Sequence, residues 1–142
     1  MSAYGLSLAT CSYSQFTPDM GVPVQISNGR PKWALKYTLT EKDTQLYPAW
    51  SLVKNKSLSV ADFRTAYWAG LDTIGLEVIA NGLQTIADRY EGHQLVLMCF
   101  EKRVEDCHRG DFAIWWLHNT GEAVPELGHT AQPVVDSSFT LF

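Results

Sequence analysis

The stretch "HQLVLMCFEKRVEDCHRGDFAIWWLH", His93–His118, decides the fold. Its first half contains an unbroken apolar run, "QLVLMCF", bounded by polar residues. A strand with one wet face would alternate, so this run describes a strand covered on both faces. The second half, from about Arg109 to His118, carries Phe112, Ala113, Trp115 and Trp116 in a helix that stops near Asn119-Thr120-Gly121. A doubly covered strand leading into a helix belongs to an α/β domain with a mainly parallel sheet flanked by helices.

Upstream, "GLSLATCSYS" (Gly5–Ser14) reads as a first strand and "VPVQIS" (Val22–Ser27) as a second. Pro23 puts the second near an edge or a strand start, because proline donates nothing to a ladder. "NGRPKW" is a turn in which Asn28-Gly29 suits positive backbone dihedrals, and Pro31 keeps a helix from starting before it. Residues 34–56 have weak periodicity and are expected to form a long loop with a short helix after Pro48. Two helices follow. Ser59 with Asp62 three residues on opens the first, and the second carries Leu76, Ile79, Leu83, Ile86 and Tyr90 on one stripe before Gly92 ends it. Gly82 costs that helix a little and is expected to mark a close helix contact. "EAVPEL" reads as a last short strand, and residues 128–142 as a tail without period.

The totals bound the rest. A chain of 142 residues, 46% hydrophobic and 18% charged, fits one soluble globular domain with a core of its own. The net charge of −4 excludes a broad nucleic-acid face. A local basic patch drawn from Arg30, Lys32, Lys36, Lys102, Arg103 and Arg109 is the remaining route to nucleic acid. Core packing is the favoured reading for the five tryptophans, and ring-stacking the lesser one. Three cysteines make an odd set without framework spacing, which argues against a disulfide-stapled secreted domain. The N-terminus lacks a basic region and a long apolar run, so no signal peptide is expected. No apolar stretch approaches the ~20 residues of a membrane helix. A reduced, cytoplasmic protein with no membrane association is the expectation; the oligomeric state is not defined.

Chemistry concentrates between Cys99 and Arg109. Ligands of open α/β sheets bind outside the carboxyl ends of the strands, where Cys99 falls. Cys107, His108 and Arg109 begin the next helix, whose free N–H groups favour anions and thiolate. Cys107 is thus a candidate nucleophile, Glu101 and His108 candidate acid/base groups, and Arg109 a candidate clamp for a carboxylate or phosphate. The structural readings stand beside these: Cys99 as a small buried hydrophobe, Cys107 as a helix cap, and Glu101 with Arg109 as a bracing ion pair. Cys99, Cys107, His108 and Cys11 could supply a zinc site, but Cys-x7-Cys-His lacks the short paired spacing of structural sites. No metal or cofactor is expected. Position 105 is Glu, so a phosphatase loop starting at Cys99 is excluded, as are Cys-x-x-Cys redox, Gly-rich phosphate-loop and nucleophile-elbow patterns. A disulfide between Cys99 and Cys107 is not expected either.

Four segments in order, "SY" at Ser12-Tyr13, "GVPVQISNGRPKW" at Gly21–Trp33, "LYPAWSLV" from Leu46 and "LMCFEKRVEDCHR" at Leu97–Arg109, resemble the bacterial and phage proteins grouped as domain of unknown function 488. The resemblance runs from about residue 5 to 127. It implies an α/β fold and a pocket assembled from separated motifs. Its candidate residues are Ser12, Tyr13, Ser27, Arg30, Pro31, Lys32, Trp33, Pro48, Trp50, Cys99, Glu101, Cys107, His108 and Arg109. Gly110 and Asp111 depart from the small or aliphatic residues usual after the arginine, and Asp111 would weaken anion binding there. The resemblance implies no reaction.

Two functions follow as expectations. In one, an enzyme holds a small anionic, nucleotide-like ligand with Arg30, Lys32 and Arg109, with Ser12 and Tyr13 also at the substrate. There it stacks a ring on Trp33 or Trp50 and acts through Cys107, Glu101 or His108. In the other, the Cys-His-Arg loop is structural and the protein is a binding or regulatory module. A metal- or redox-responsive thiol site is the third option.

Overall fold

The computed structural model describes residues 5–100 and 107–128. Four strands, β1 (Leu8–Ser12), β2 (Val22–Gln25), β3 (Glu41–Lys42) and β4 (Leu95–Cys99), form one parallel sheet in the order β1-β4-β2-β3. The helices are α1 (Trp50–Lys54), α2 (Val60–Ile74), α3 (Leu76–Asp88) and α4 (His108–Thr120). This is the small α/β architecture expected from the Gln94–Phe100 run. Every residue of β4 is buried because β1 and β2 flank it and both of its faces are covered.

The two faces are covered differently. Leu95 and Leu97 join Val24, Leu8 and residues of α2, α3 and α4, including Phe112, Trp115 and Trp116, in the main core. On the opposite face Val96 and Met98 meet Cys11, Tyr13, Phe16 and Leu39, with Leu35 and Tyr37 packed against them. Helices thus cover one face, and the loops after β1 and β2 cover the other. The helix that follows β4, α4, packs on the helical face, and the loop that follows β2 packs Leu35, Tyr37 and Leu39 on the other. Two neighbouring parallel strands whose continuations diverge leave a crevice at their carboxyl ends.

Local signals explain the boundaries. The Ser59 hydroxyl accepts the Asp62 N–H at 3.0 Å and starts α2. Gly121, with φ of 79°, ends α4 in the left-handed conformation. α3 ends at Asp88, and the chain turns through Glu91 and Gly92, both at positive φ. An added Cβ on Gly82 would lie 2.7 Å from Gln45 Oε1, so the close approach is to the 3-10 turn Thr44–Leu46 rather than to another α-helix. Val22 and Ile26 donate to Gln94 and Met98 on the β4 side, so the nitrogen of Pro23 faces the other way. There β3 pairs only with Val24 and Gln25, and Pro23 interrupts nothing.

Three local expectations need correction. Neither Asn28 nor Gly29 adopts positive φ. Side chains hold that turn instead: Ser27 Oγ donates to the Gly29 carbonyl and Asn28 Nδ2 to the Pro48 carbonyl. "EAVPEL" contributes a single parallel bridge, Thr10 to Glu126, not a strand. The long loop contains a two-residue strand, β3, too short to leave a period. The helix after Pro48 is present as α1.

Candidate functional site

A cleft of about 880 Å³ opens at the carboxyl ends of β2 and β4. Ser27 to Arg30, Lys32 and Trp33 form one side, Trp50, Leu52, Leu58 and Phe63 belong to the other, and Cys99, Phe100, Cys107, His108 and Asp111 line the rest. Of the residues singled out from sequence, the structure brings Arg30, Lys32, Trp33, Trp50, Cys107 and His108 to this cleft, with Ser27, Pro48 and Cys99. Glu101 lies outside the described residues, as do Lys102 and Arg103.

Ser12, Tyr13 and Arg109 are absent from the lining. Ser12 is buried and donates to Gln15 Oε1 at 2.9 Å. Tyr13 stands behind the wall, where its hydroxyl donates to Ser27 Oγ at 2.7 Å, since Ser27 spends its own proton on Gly29. Burial pushes the Tyr13 phenol up to about 12, so it stays a proton donor. The ring of Tyr13 also meets Phe100 edge-on, with centroids 5.2 Å apart. Tyr13 therefore braces the turn that carries Arg30 and Trp33. Arg30 itself is anchored at the rim by one N–H on the Leu39 carbonyl at 2.8 Å.

Arg109 is fully buried and is no ligand clamp. Its Nε and Nη2 grip the two oxygens of Glu126 at 2.9 and 3.1 Å, and Thr10 Oγ1 donates to the same carboxylate at 2.7 Å. A fork–fork pair of this kind orients as well as neutralises. Nη1 donates to the sulfur of Cys99 at 3.3 Å. Glu126 could not be assigned from sequence, because a one-residue bridge gives no pattern.

Cys99 and Cys107 are joined by a disulfide, contrary to the sequence expectation. The physical reason is topological: the end of β4 and the start of α4 lie side by side, which a seven-residue spacing does not reveal. Cys107 occupies the N-cap position of α4, but its side chain accepts no capping hydrogen bond, so capping does not account for it. Cys11 is the free cysteine among the described residues. It faces the loop-covered side of the sheet, away from Cys99, as strand alternation requires. Burial, then the charge of Glu126, raises its thiol to about 11.

His108 is buried beside the sulfurs. Its Nε2 lies 2.6 Å from the Ile26 carbonyl, which can only accept, so Nε2 carries the proton. Nδ1 is then a lone pair 3.9 Å from Cys107 Sγ. Burial lowers the His108 pKa to about 4, partly opposed by the Ile26 bond, and the ring is neutral at pH 7. The sulfurs of Cys99 and Cys107 and a ring nitrogen of His108 all lie within 4.8 Å of one another. Asp111, whose charge threatened anion binding, is paired with Arg64 Nε at 2.7 Å. Burial nevertheless raises its pKa.

No helix among the described residues is long and apolar enough to cross a membrane. Comparison with curated proteins and with solved structures found no match. A family match covers residues 30–114, a shorter span than the resemblance suggested; it takes in Arg30, Trp33, Trp50, Cys99, Cys107 and His108 but not Ser12 or Tyr13. With more than half of its length matched, the chain belongs to the family described as Domain of unknown function DUF488.

Proposed function

We propose that the cleft binds a planar anionic ligand, with a nucleotide or a fragment derived from nucleic acid as its class, and presents it to Cys107 and His108. One observation carries this reading. Arg30, Lys32 and Trp33 from the loop after β2 and Trp50 from α1 line the same cleft as the sulfur–imidazole group. The cations suit a phosphate, and an indole face suits a base. Trp33 and Trp50 are 51% and 58% exposed, large apolar surfaces left in water beside a cavity that a stacked ring would cover. In a chain of net charge −4, a small cationic rim favours a compact anion over an extended nucleic-acid backbone.

The floor adds chemistry to binding. With the disulfide reduced, the Cys107 thiol has the His108 Nδ1 lone pair 3.9 Å away as a hydrogen-bond partner, at the edge of the space a ligand would fill. A reducing compartment such as the cytoplasm would hold the pair in that form.

Tryptophan fluorescence of the reduced chain, titrated with a nucleoside monophosphate and with its parent nucleoside, tests the reading. The expected result is saturable quenching by the monophosphate and at least tenfold weaker binding of the nucleoside. No saturable response, or equal affinity for both, would overturn it.

A further inference from the structure

We infer that Cys99, Cys107 and His108, with the disulfide reduced, form a three-ligand site for a zinc-class cation whose fourth position opens onto the cleft. The three donor atoms come from the end of β4 and the first turn of α4 and lie within 4.8 Å of one another. With Zn–S near 2.3 Å and Zn–N near 2.0–2.1 Å, a tetrahedral centre spaces its ligand atoms by roughly 3.5–3.8 Å. Cys107 Sγ and His108 Nδ1 are already 3.9 Å apart. Releasing the sulfur–sulfur bond lets the two sulfurs separate to the same spacing.

The surroundings suit ligation as well. A metal-bound histidine characteristically donates its other ring N–H to a carbonyl or carboxylate, which fixes ring and tautomer. His108 does so through Nε2 to Ile26, and this leaves Nδ1 on the side of the sulfurs. The Arg109 guanidinium donates to Cys99 Sγ, a bond that favours thiolate. Two thiolates and one imidazole select a soft or borderline cation over magnesium or calcium. Cys99, Cys107 and His108 all line the cleft, so the coordination position they leave faces the space where a ligand would sit. Three protein ligands with an open fourth position is the arrangement of catalytic rather than structural zinc, and the cation would act there as a Lewis acid. The short paired cysteine spacing of zinc knuckles is then not required.

The same sulfurs make the disulfide, so oxidation and metal binding exclude each other. Oxidation removes two protons and two electrons from the thiol pair and hands them to an oxidant such as another disulfide.

The test uses the full chain without an affinity tag, reduced, freed of metal with a chelator and titrated with cobalt(II) alone. The nucleotide reading plays no part in this titration, so either can fail without the other. The expected result is one cobalt per chain with a thiolate-to-cobalt charge-transfer band, retained in Cys11→Ser and displaced by zinc. The band should weaken in Cys107→Ser and disappear in the Cys99→Ser/Cys107→Ser double variant and in the disulfide form, and His108→Gln should weaken binding at least tenfold. A folded, reduced wild-type chain without the band would overturn the inference, as would a band that survives in the double variant or after oxidation. The wild-type measurement decides even where a variant fails to fold.

Discussion

His108 donates Nε2–H to the carbonyl of Ile26 at 2.6 Å and thereby turns Nδ1 toward Cys107. This bond ties the first turn of α4 to the end of β2 across the cleft floor. Ile26 is fully buried, so its carbonyl finds no water if the imidazole is removed. His108→Phe keeps an aromatic ring at the site and deletes the donor. Urea denaturation of the reduced chain should show a loss of about 1–3 kcal/mol, the cost of an orphaned buried acceptor.

Arg109 depends on Glu126 in the same way, with a larger penalty. Arg109 is wholly buried and the Glu126 side chain nearly so. Glu126→Ala should cost about 3–5 kcal/mol, because it strands a buried charge. Thr10→Val removes one hydrogen bond to that carboxylate and should cost about 1 kcal/mol. Denaturation midpoints of the two variants, measured side by side, check the ranking.

Asp43 gives a pH-dependent prediction away from the cleft. It caps the 3-10 turn by accepting the Gln45 N–H, but its Oδ2 and the Oε1 of Gln45 are buried acceptors without donors. Burial raises the Asp43 pKa, and the Gln45 N–H only partly opposes this. A raised folded pKa means that stability is fully present below the unfolded pKa and is lost as pH rises through the folded one. Asp43→Asn, always neutral and carrying a donor, should gain about 1 kcal/mol at pH 7. The gain should shrink toward zero as the pH falls below the ordinary aspartate range. Paired melting curves at pH 7 and in acid measure the difference.

The rim residues should separate by role. Arg30→Gln should weaken binding of a nucleoside monophosphate about tenfold and flatten its salt dependence, since one charge-assisted contact is lost. Trp50→Ala should cost about 1–3 kcal/mol, the usual value of a base–aromatic stack, with little change in salt dependence. Calorimetric titrations at two ionic strengths distinguish the two patterns.

What was legible in the sequence was what repeats along it. The apolar run through Cys99 gave β4, the stripe from Leu76 to Ile86 gave α3, and Ser59 and Gly121 marked helix ends through their own chemistry. The candidate site was legible as a set of motifs, because Arg30, Trp33, Trp50, Cys107 and His108 do share one cleft. Relations made by tertiary contact alone were not. Glu126 reaches Arg109 through a single bridge to Thr10, and β3 is two residues long. The Cys99–Cys107 bond depends on β4 and α4 abutting. The Ser12-Tyr13 motif suggests a ligand contact, but the Tyr13 hydroxyl is spent on Ser27, behind the wall.

The most direct test joins the rim to the floor in one measurement: the rate at which iodoacetamide alkylates Cys107 in the reduced, chelator-treated chain, with and without a nucleoside monophosphate. If Arg30, Trp33, Trp50 and Cys107 serve one ligand site, the nucleotide slows alkylation in a saturable way, and Trp50→Ala shifts the protection to higher concentration. A Cys107 alkylation rate unchanged at saturating nucleotide would contradict the claim.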